Sequence, residues 1–540
     1  MRRGWWIAAV AAAMPALGAL PQDKGKDDLT DDEKIVHLLN RFTLGATPEL
    51  VEEVRQTGIK PWLDRQLKGD LPEPDALTGR LKKYETIGMP INLVYVKYDV
   101  RPPEKPTPQE EEEARKKNET PSNETLAWVL LRAIYSANQT REVSADFFRN
   151  HFAVSVDKDL VRNFVTDWER DVIHANALGV FGTMLDAGAR HPAMSFYLDN
   201  CLSRRPPTPQ ELKTIENNVR SQTRSQAEAN KAVDIARQRG LNENYARELM
   251  ELHTLGVDRF YSQADVISVA KCLTGWTFKY EAGVPPQFHF NPEMHCPGSK
   301  PFLGGSIAEN KLKPIQEGES VLYILRKHEG TARFVTWKLL RALVHDDPDE
   351  QMLKRVYLSF WNTEGDLGKV FRTIVNDKKF FAREHFRAKL KRPFEFVISA
   401  LRVTRAEVSE VGGILNSLQS MNESLYRCAD PTGYYDQAEA WADPGAMAYR
   451  WAFAQGLVAG RINGVKIPPS FFEGLPAEPK ACVDALIRKV LPVAGVGEAT
   501  RAGLDRMIEN ELKRNPRGAP VQLGPRTVAM LLGSPEFQKQ

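Results

Sequence analysis

Two glutamates three residues apart, Glu248 and Glu251, are the side chains whose type and spacing best suit chemistry in this chain. At about 100° per residue they lie on one stripe of a helix, beside an apolar stripe formed by Tyr245, Leu249 and Leu252. Two carboxylates in one site push their pKa values apart, as an acid–base pair requires, and together they can bind a metal ion. The alternative is that each glutamate pairs with an Arg or Lys of a neighbouring helix and stabilises the fold.

Histidines complete the predicted site, because imidazole titrates near neutral pH and serves as a general base or a metal ligand. His151 and His191 join Glu248 and Glu251 as predicted catalytic residues of a hydrolase-like site, in which a divalent metal ion is an open alternative. His295 lies in a loop rich in glycine and proline and is predicted to contact a ligand. The competing interpretation is that each histidine is a hydrogen-bonded core residue.

Polar and aromatic residues near the glutamates are the other predicted ligand contacts. Asn244 falls on the same stripe as the glutamates, and Arg247 follows Glu243 by four residues, the favoured order for an intrahelical ion pair. Trp276 follows a Thr-Gly pair and is predicted either to anchor the core or to line a ligand platform. His253 falls on the side of its helix away from the glutamates, so we do not expect it in their site.

Most familiar catalytic signatures are absent. The sequence contains no HExxH, GxSxG, P-loop or EF-hand pattern, which excludes a standard zinc metalloprotease, α/β-hydrolase or P-loop nucleotide-binding protein. Two classes of function stay open. One is an exported enzyme, either hydrolase-like or metal-dependent, and the other is a non-catalytic envelope, surface-assembly or binding protein whose polar residues hold helices together.

Residues 242–257, NENYARELMELHTLGV, resemble the signature of a bacterial family called domain of unknown function 1800, or DUF1800. The resemblance implies a large exported protein from a family without an established activity. In the block HCPGSKPFLG, Cys296 follows His295 where the family often has Asp, which weakens a metal or acid role there. The other resembling blocks cover nearly the whole chain after residue 30: HLLNRFTLGATPELV (37–51), FFRNHFAVS (147–155), HPAMSFYLDN (191–200), TARFVTWKLLRALV (331–344), KRPFEFVISALR (391–402), PTGYYD (431–436) and SPEFQ (534–538).

Hydrophobic periodicity and helix-capping patterns predict a mainly α fold, a large multi-helix single domain over residues 30–540 with long irregular loops. The composition, 42% hydrophobic and 26% charged, allows a sizeable core. No segment alternates strongly enough to predict a sheet, but the segment 279–314 has room for a small hairpin. The polar segments 101–123 and 203–228 are predicted to be solvated, mobile excursions.

The first twenty residues are typical of an export leader. Arg2 and Arg3 form a positive start, an apolar run follows over residues 5–14, and small residues permit cleavage before Ala19. No later run approaches the ~18 apolar residues of a membrane span, so no transmembrane segment is predicted after the leader. We therefore expect the mature protein in the periplasm or outside the cell.

The net charge limits the kinds of partner that we expect for this protein. The formal net charge of +3 falls to +1 without the leader, which is too little to concentrate nucleic acid. The predicted partners are instead an envelope polymer or another exported protein. The basic stretch 378–392 is predicted to be a solvated helix end with core phenylalanines, and a site for an anionic polymer is the alternative.

Among five cysteines without a CxxC pair, Cys272 is predicted to be a buried free thiol.

Overall fold

The computed structural model describes residues 28–158, 160–238, 240–257, 259–281, 284–308, 311–493, 495–514 and 523–540. The predicted leader at residues 1–20 lies outside the described residues. In the described part of the chain the fold is mainly α, with twenty-five α-helices and only short antiparallel strand pairs, which confirms the predicted fold class. None of the described helices is long and apolar enough to cross a membrane.

The first ten helices follow one another with short connections. Helix α1 begins at a capping box in which Thr30 and Glu33 each bind the other's backbone N–H, and α2 begins with Pro48 at its first position, as predicted. A π-helical turn over Trp168–His174 follows α8. The helices are α1 Asp31–Phe42, α2 Pro48–Thr57, α3 Ile59–Lys68, α4 Asp75–Leu81, α5 Ile91–Tyr98, α6 Pro108–Tyr135, α7 Gln139–His151, α8 Val161–Asp167, α9 Phe181–Arg190 and α10 Pro192–Tyr197.

The two segments predicted to be excursions are largely helical. Residues 108–123 form the first half of α6, and residues 209–223 form α11. Helix α6 begins at a capping box between Thr107 and Glu110 with proline at its first position, and the same Thr-Pro-x-Glu pattern begins α11. Such a box starts a helix even where few of the following residues face a core, and the sequence interpretation gave it too little weight.

The segment around the two glutamates contains four helices and two small hairpins. The strand pair β1–β2, in which Trp276 lies opposite Phe290, confirms the predicted small hairpin. The elements of this part are α11 Pro209–Thr223, α12 Gln226–Gln238, α13 Asn244–Glu251, α14 Gln263–Leu273, β1 Trp276–Glu281, β2 Val284–Phe290, β3 Lys300–Phe302 and β4 Gly305–Ile307.

The remaining helices complete the core, and one cluster of buried apolar side chains extends from Ile35 to Phe537. Helix α16 is central to the site described below. The elements are α15 Pro314–Lys327, α16 Glu329–Leu343, α17 Glu350–Asn362, α18 Leu367–Asn376, α19 Pro393–Val403, β5 Glu407–Val408, α20 Gly412–Ser420, α21 Pro444–Val458, β6 Val465–Lys466, α22 Pro479–Val490, α23 Glu498–Arg514, α24 Leu523–Gly533 and α25 Pro535–Gln538.

The apolar stripe predicted for the glutamate helix is largely buried. Tyr245 and Leu249 are 2% and 0% exposed, whereas Leu252 lies just beyond α13 and is only partly buried. Helix α14 begins at the predicted capping box of Ser262 and Asp265. These local predictions are correct because helical spacing and capping depend on neighbours in the sequence alone.

The basic stretch 378–392 is not a solvated helix end, so this prediction was wrong. Only a short 3-10 turn over Arg383–His385 interrupts an irregular course, and Lys389, Lys391 and Arg392 are all buried. The reason is that buried carboxylates or aromatic rings from distant segments contact these side chains. All five cysteines are free thiols, and Cys272 is buried as predicted.

Candidate functional site

Glu248 and Glu251 lie on α13, and both are partly exposed. Neither carboxylate forms an ion pair with an Arg or Lys of the described chain, and Glu251 accepts a hydrogen bond from the Tyr261 hydroxyl at 3.3 Å. Burial raises the pKa of Glu248, and the nearby carboxylates of Glu251 and Asp430 raise it further. The acids therefore lie together as their spacing predicts, and their catalytic role stays a prediction.

His191 and His295 form closed pairs with other carboxylates. The Nε2 atom of His191 lies 3.0 Å from Oδ2 of Asp167, while its Nδ1 atom caps α10. The Nε2 atom of His295 lies 3.0 Å from Oε2 of Glu317, which also accepts a 2.6 Å hydrogen bond from Lys300. These contacts fit the competing interpretation of the two histidines as hydrogen-bonded structural residues.

The described residues do not group into a ligand set for the divalent metal ion that the sequence left open. Across the residues that are described, no three His, Cys, Asp or Glu side chains are grouped so that they could hold a metal ion. The closed pairs of His191 and His295 explain this result, because their ring nitrogens already have partners. We therefore do not propose a metal centre.

Of the other predicted ligand contacts, Arg247 has partners within the protein, Asn244 is exposed and Trp276 is buried. Arg247 binds Glu243 at 3.4 Å, as its spacing predicts, and Gln263 at 2.9 Å, while Asn244 is exposed on the first turn of α13. Trp276 is 1% exposed, which leaves no ring face open to a ligand platform. The core-anchor alternative is therefore the correct one for Trp276, and the prediction of a ligand contact there was wrong.

His151, on the last turn of α7, meets His253 in the core, although the sequence did not predict this pair. Their ring centroids are 6.1 Å apart, and they are 1% and 2% exposed. His151 Nε2 donates a hydrogen bond to the His253 carbonyl oxygen at 3.1 Å, so Nδ1 carries the lone pair. In the described part of the chain, neither His151 Nδ1 nor His253 Nε2 has a hydrogen-bond partner, and burial lowers the pKa of both rings.

Lys338 on α16 lies beside these two imidazoles. Its positive charge contributes to the lowered pKa of both His151 and His253. Burial lowers the pKa of Lys338 itself to about 8, with Asp436 acting in the opposite direction and Arg341 in the same direction. The residue keeps some exposure although its ammonium end is closely surrounded, and no described carboxylate pairs with it.

Helix packing brings Lys338 and the imidazoles together. Helical spacing places Phe334, Lys338 and Arg341 on one stripe of α16, and the Lys338 ammonium lies 5.8 Å from the Phe334 ring centre. Gly256, at a φ of +83°, packs so closely on this ring that a Cβ atom there would lie 2.8 Å from it. Glycine is therefore required where the chain after α13, which carries His253, crosses α16.

The loop that carries Asp436 is fixed to α7 by backbone-like hydrogen bonds. The Asn150 amide donates to the Tyr434 carbonyl oxygen and accepts from its N–H, both at 2.7 Å. Gly433 has a φ of +77°, and a Cβ atom there would lie 2.4 Å from the Asn150 carbonyl oxygen. This close approach fixes the loop against α7 next to His151, and the same loop carries Asp436, whose charge acts on Lys338.

A network of buried ion pairs joins the C-terminal end of α7 to Arg392, beside Asp436. Arg392 contacts the carboxylates of Asp146 and Glu423, and its Nε atom lies 3.8 Å from Asp436. Arg149 lies between Asp146, at 3.0 Å, and another buried carboxylate. Because Asp146 and Arg149 lie five and two residues before His151 on α7, the network holds the helix end that presents the imidazole.

The segments that meet at this site all lie within the match to one known family. A family described as "Protein of unknown function (DUF1800)" matches residues 37–539, nearly the whole chain. The chain belongs to the DUF1800 family. No curated protein and no solved structure matches this DUF1800 chain significantly. His151, His253, Lys338 and Asp436 each lie in one of the blocks whose resemblance to DUF1800 indicated the family.

Sequence reasoning selected one member of this DUF1800 site and missed three. His151 was predicted as catalytic, but its structural partners are His253 and Lys338 rather than the two glutamates. Lys338 is preceded by Trp337 and followed by Leu339, and a lysine next to the apolar face of an amphipathic helix was the available signal. Such a lysine normally extends to solvent, so the pattern alone did not indicate a site.

Proposed function

We propose that this DUF1800 protein is an exported, hydrolase-like enzyme whose active site contains Lys338, His151 and His253. One observation carries the proposal: two adjacent buried imidazoles have unpartnered ring nitrogens beside a lysine without a carboxylate partner. Each unsatisfied buried polar atom costs about 1–3 kcal/mol, so the arrangement is unfavourable unless a ligand or water completes it. Strongly shifted titration of a lysine in such a group is typical of functional sites.

The chemistry follows from the protonation states. A lysine with a pKa of about 8 is partly neutral near neutral pH, and its amine then accepts a proton from an attacking water molecule. The hydroxide adds to the carbonyl carbon of an ester, and the bond to the leaving oxygen breaks. The protonated amine of Lys338 then returns its proton to the leaving oxygen, so that an acid and an alcohol result. The neutral imidazole of His151 offers Nδ1 as an acceptor for a polar group of the substrate, which orients it. The reaction consumes only water and requires no other reactant.

Hydrolysis of p-nitrophenyl acetate tests this proposal with an uncharged carbonyl probe. The rate should rise with pH through about 8, because the base acts only after Lys338 has lost its proton. Lys338→Met should lower the rate by about 10²-fold or more, the usual contribution of a general base. Lys354→Met, which removes an exposed lysine of α17, is the matched control and should keep the wild-type rate.

Folding of the variant is checked by thermal unfolding. Removal of Lys338 should not lower stability, because its closely surrounded ammonium group has no ion-pair partner among the described residues. His151→Phe keeps a ring at the same position and should raise KM more than it changes the pH profile. An equal rate in wild type, Lys338→Met and Lys354→Met would contradict the proposal.

A non-catalytic assembly protein is the second candidate, and a specific observation favours it. His191 and His295, both in family-like blocks, are held in closed hydrogen-bonded pairs with carboxylates, as structural residues of a rigid surface protein would be. The partner would then be an envelope polymer or another exported protein. The same ester assay separates the two functions, since an assembly protein has no pH-dependent rate that Lys338 controls. In both cases export rests on the leader at residues 1–20.

A further inference from the structure

A small cavity with a cationic lining lies away from the residues proposed as catalytic. It is formed where α1, residues 45–46, the segment 387–391, the end of α22 and the last residues of the chain meet. The volume of the cavity is about 20 Å³. Its charged lining residues are three cations and one acid: Arg387, Lys391, Lys539 and Glu536.

Lys391 is the least exposed of these cations. It is 4% exposed, and its ammonium group lies 4.1 Å from the centre of the Phe537 ring. Within the described chain no carboxylate or carbonyl oxygen binds its Nζ atom. Burial lowers the pKa of Lys391 to about 7, Glu395 opposes this shift, and nearby arginines add to it, namely Arg387, Arg450 and Arg41.

The nearby acids are engaged elsewhere. Glu536 accepts the Gly497 N–H at 2.8 Å and the Thr500 hydroxyl at 2.9 Å. Glu395 accepts the Arg392 N–H at 2.7 Å and a 2.9 Å hydrogen bond from the side chain of Gln540. Neither carboxylate lies within ion-pair distance of Lys391 in the described structure. The excess of positive charge at this cavity is therefore not balanced by the protein's own acids.

We propose that this cavity is a binding site for a small oxyanion such as inorganic phosphate. A buried cation without a counter-ion is unfavourable, and an oxyanion supplies the negative charge and the acceptor atoms that Lys391 lacks among the described residues. Arg387 donates one long hydrogen bond, of 3.5 Å, to the Gly495 carbonyl oxygen, and an oxyanion would supply further acceptors for its guanidinium group. The Asn40 side chain, also in the lining, adds a neutral donor. A volume of about 20 Å³ is far below that of pockets for organic ligands, which favours an ion of a few atoms over a larger molecule. The site is independent of the function proposed for Lys338.

Titration of the full mature chain with sodium phosphate, followed by calorimetry and thermal unfolding, tests the site. Phosphate should raise the Tm by about 2 °C or more at saturation, and sodium chloride of matched ionic strength should not. Lys391→Met should weaken phosphate binding by about tenfold or more, and Arg387→Met should weaken it in the same direction. Lys480→Met, an exposed lysine of α22, should bind phosphate as wild type does.

The stability of the Lys391 variant in phosphate-free buffer is a second test of the site. Because Lys391 has no counter-ion, Lys391→Met should fold and be at least as stable as wild type in phosphate-free buffer. Three outcomes would overturn the proposal: no effect of phosphate on wild type, an equal effect of chloride, or the same phosphate affinity in wild type and Lys391→Met.

Discussion

Replacement of Arg392 by methionine should lower the free energy of unfolding by about 3–5 kcal/mol, because it leaves buried carboxylates without their cation. Arg392 is 6% exposed and contacts both Asp146 and Glu423, which are 8% and 2% exposed. The two carboxylates hold the pKa of Arg392 above its usual range despite its burial. Methionine fills much of the same volume, so the loss reports on charge rather than on a cavity.

Denaturant unfolding of Arg392→Met measures this loss, and Arg427→Met is the matched control. Arg427 pairs with Asp157 at the surface, where the two side chains are 45% and 56% exposed. Solvent screens such a pair, so the control should change stability by about 0–1 kcal/mol. Equal midpoints for the two variants would mean that the buried network does not stabilise the end of α7.

Replacement of Glu317 by alanine should also cost about 3–5 kcal/mol, because the Lys300 ammonium would remain buried without its carboxylate. Lys300 is 1% exposed, and its Nζ atom donates to Glu317 at 2.6 Å and to the Cys296 carbonyl oxygen at 2.7 Å. His295 also loses its partner in this variant. The result would establish His295 as part of a structural pair rather than as a ligand contact.

Glu319→Ala provides the control for this prediction, two residues further along α15. Glu319 pairs with Arg190 at 2.9 Å, but the side chains are 42% and 33% exposed, so the expected cost is about 0–1 kcal/mol. Adding Lys300→Met to Glu317→Ala should recover part of the loss, since the unpaired charge is then gone. No recovery in the double variant would show that packing, and not charge, explains the loss.

The parts of the fold that were predictable are those set by residues close in sequence. The capping boxes of Thr30 and Ser262, the ion pair of Glu243 with Arg247 and the buried face of α14 all follow from helical spacing. The helical character of residues 108–123 was available from the same type of signal. The long charged stretch indicates solvent exposure, which is compatible with a helix, and the capping pattern is the feature that predicts the helix itself.

The site could be predicted only in part, because its contacts join distant segments. His151 and His253 are 102 residues apart, and nothing in either local sequence indicates that the Nε2 atom of His151 binds the other's carbonyl oxygen. Helical spacing could not indicate the neighbours of His253, because α13 ends at Glu251, before that residue. The ammonium group of Lys338 is enclosed because segments distant in sequence pack against α16. Hydrophobic periodicity within α16 does not indicate that packing.

The proposed active site depends on the environment of Lys338, and its titration is the most direct test. The pH dependence of Lys338 acetylation by a trace of acetic anhydride, quantified by mass spectrometry of its peptide, gives the pKa of this amine in the folded protein. We expect a pKa of about 8 for Lys338, and the exposed amine of Lys354 is measured in the same experiment as the reference. A pKa for Lys338 equal to that of Lys354 would contradict the account, because the amine would then be a solvated surface cation and could not act as a base near neutral pH.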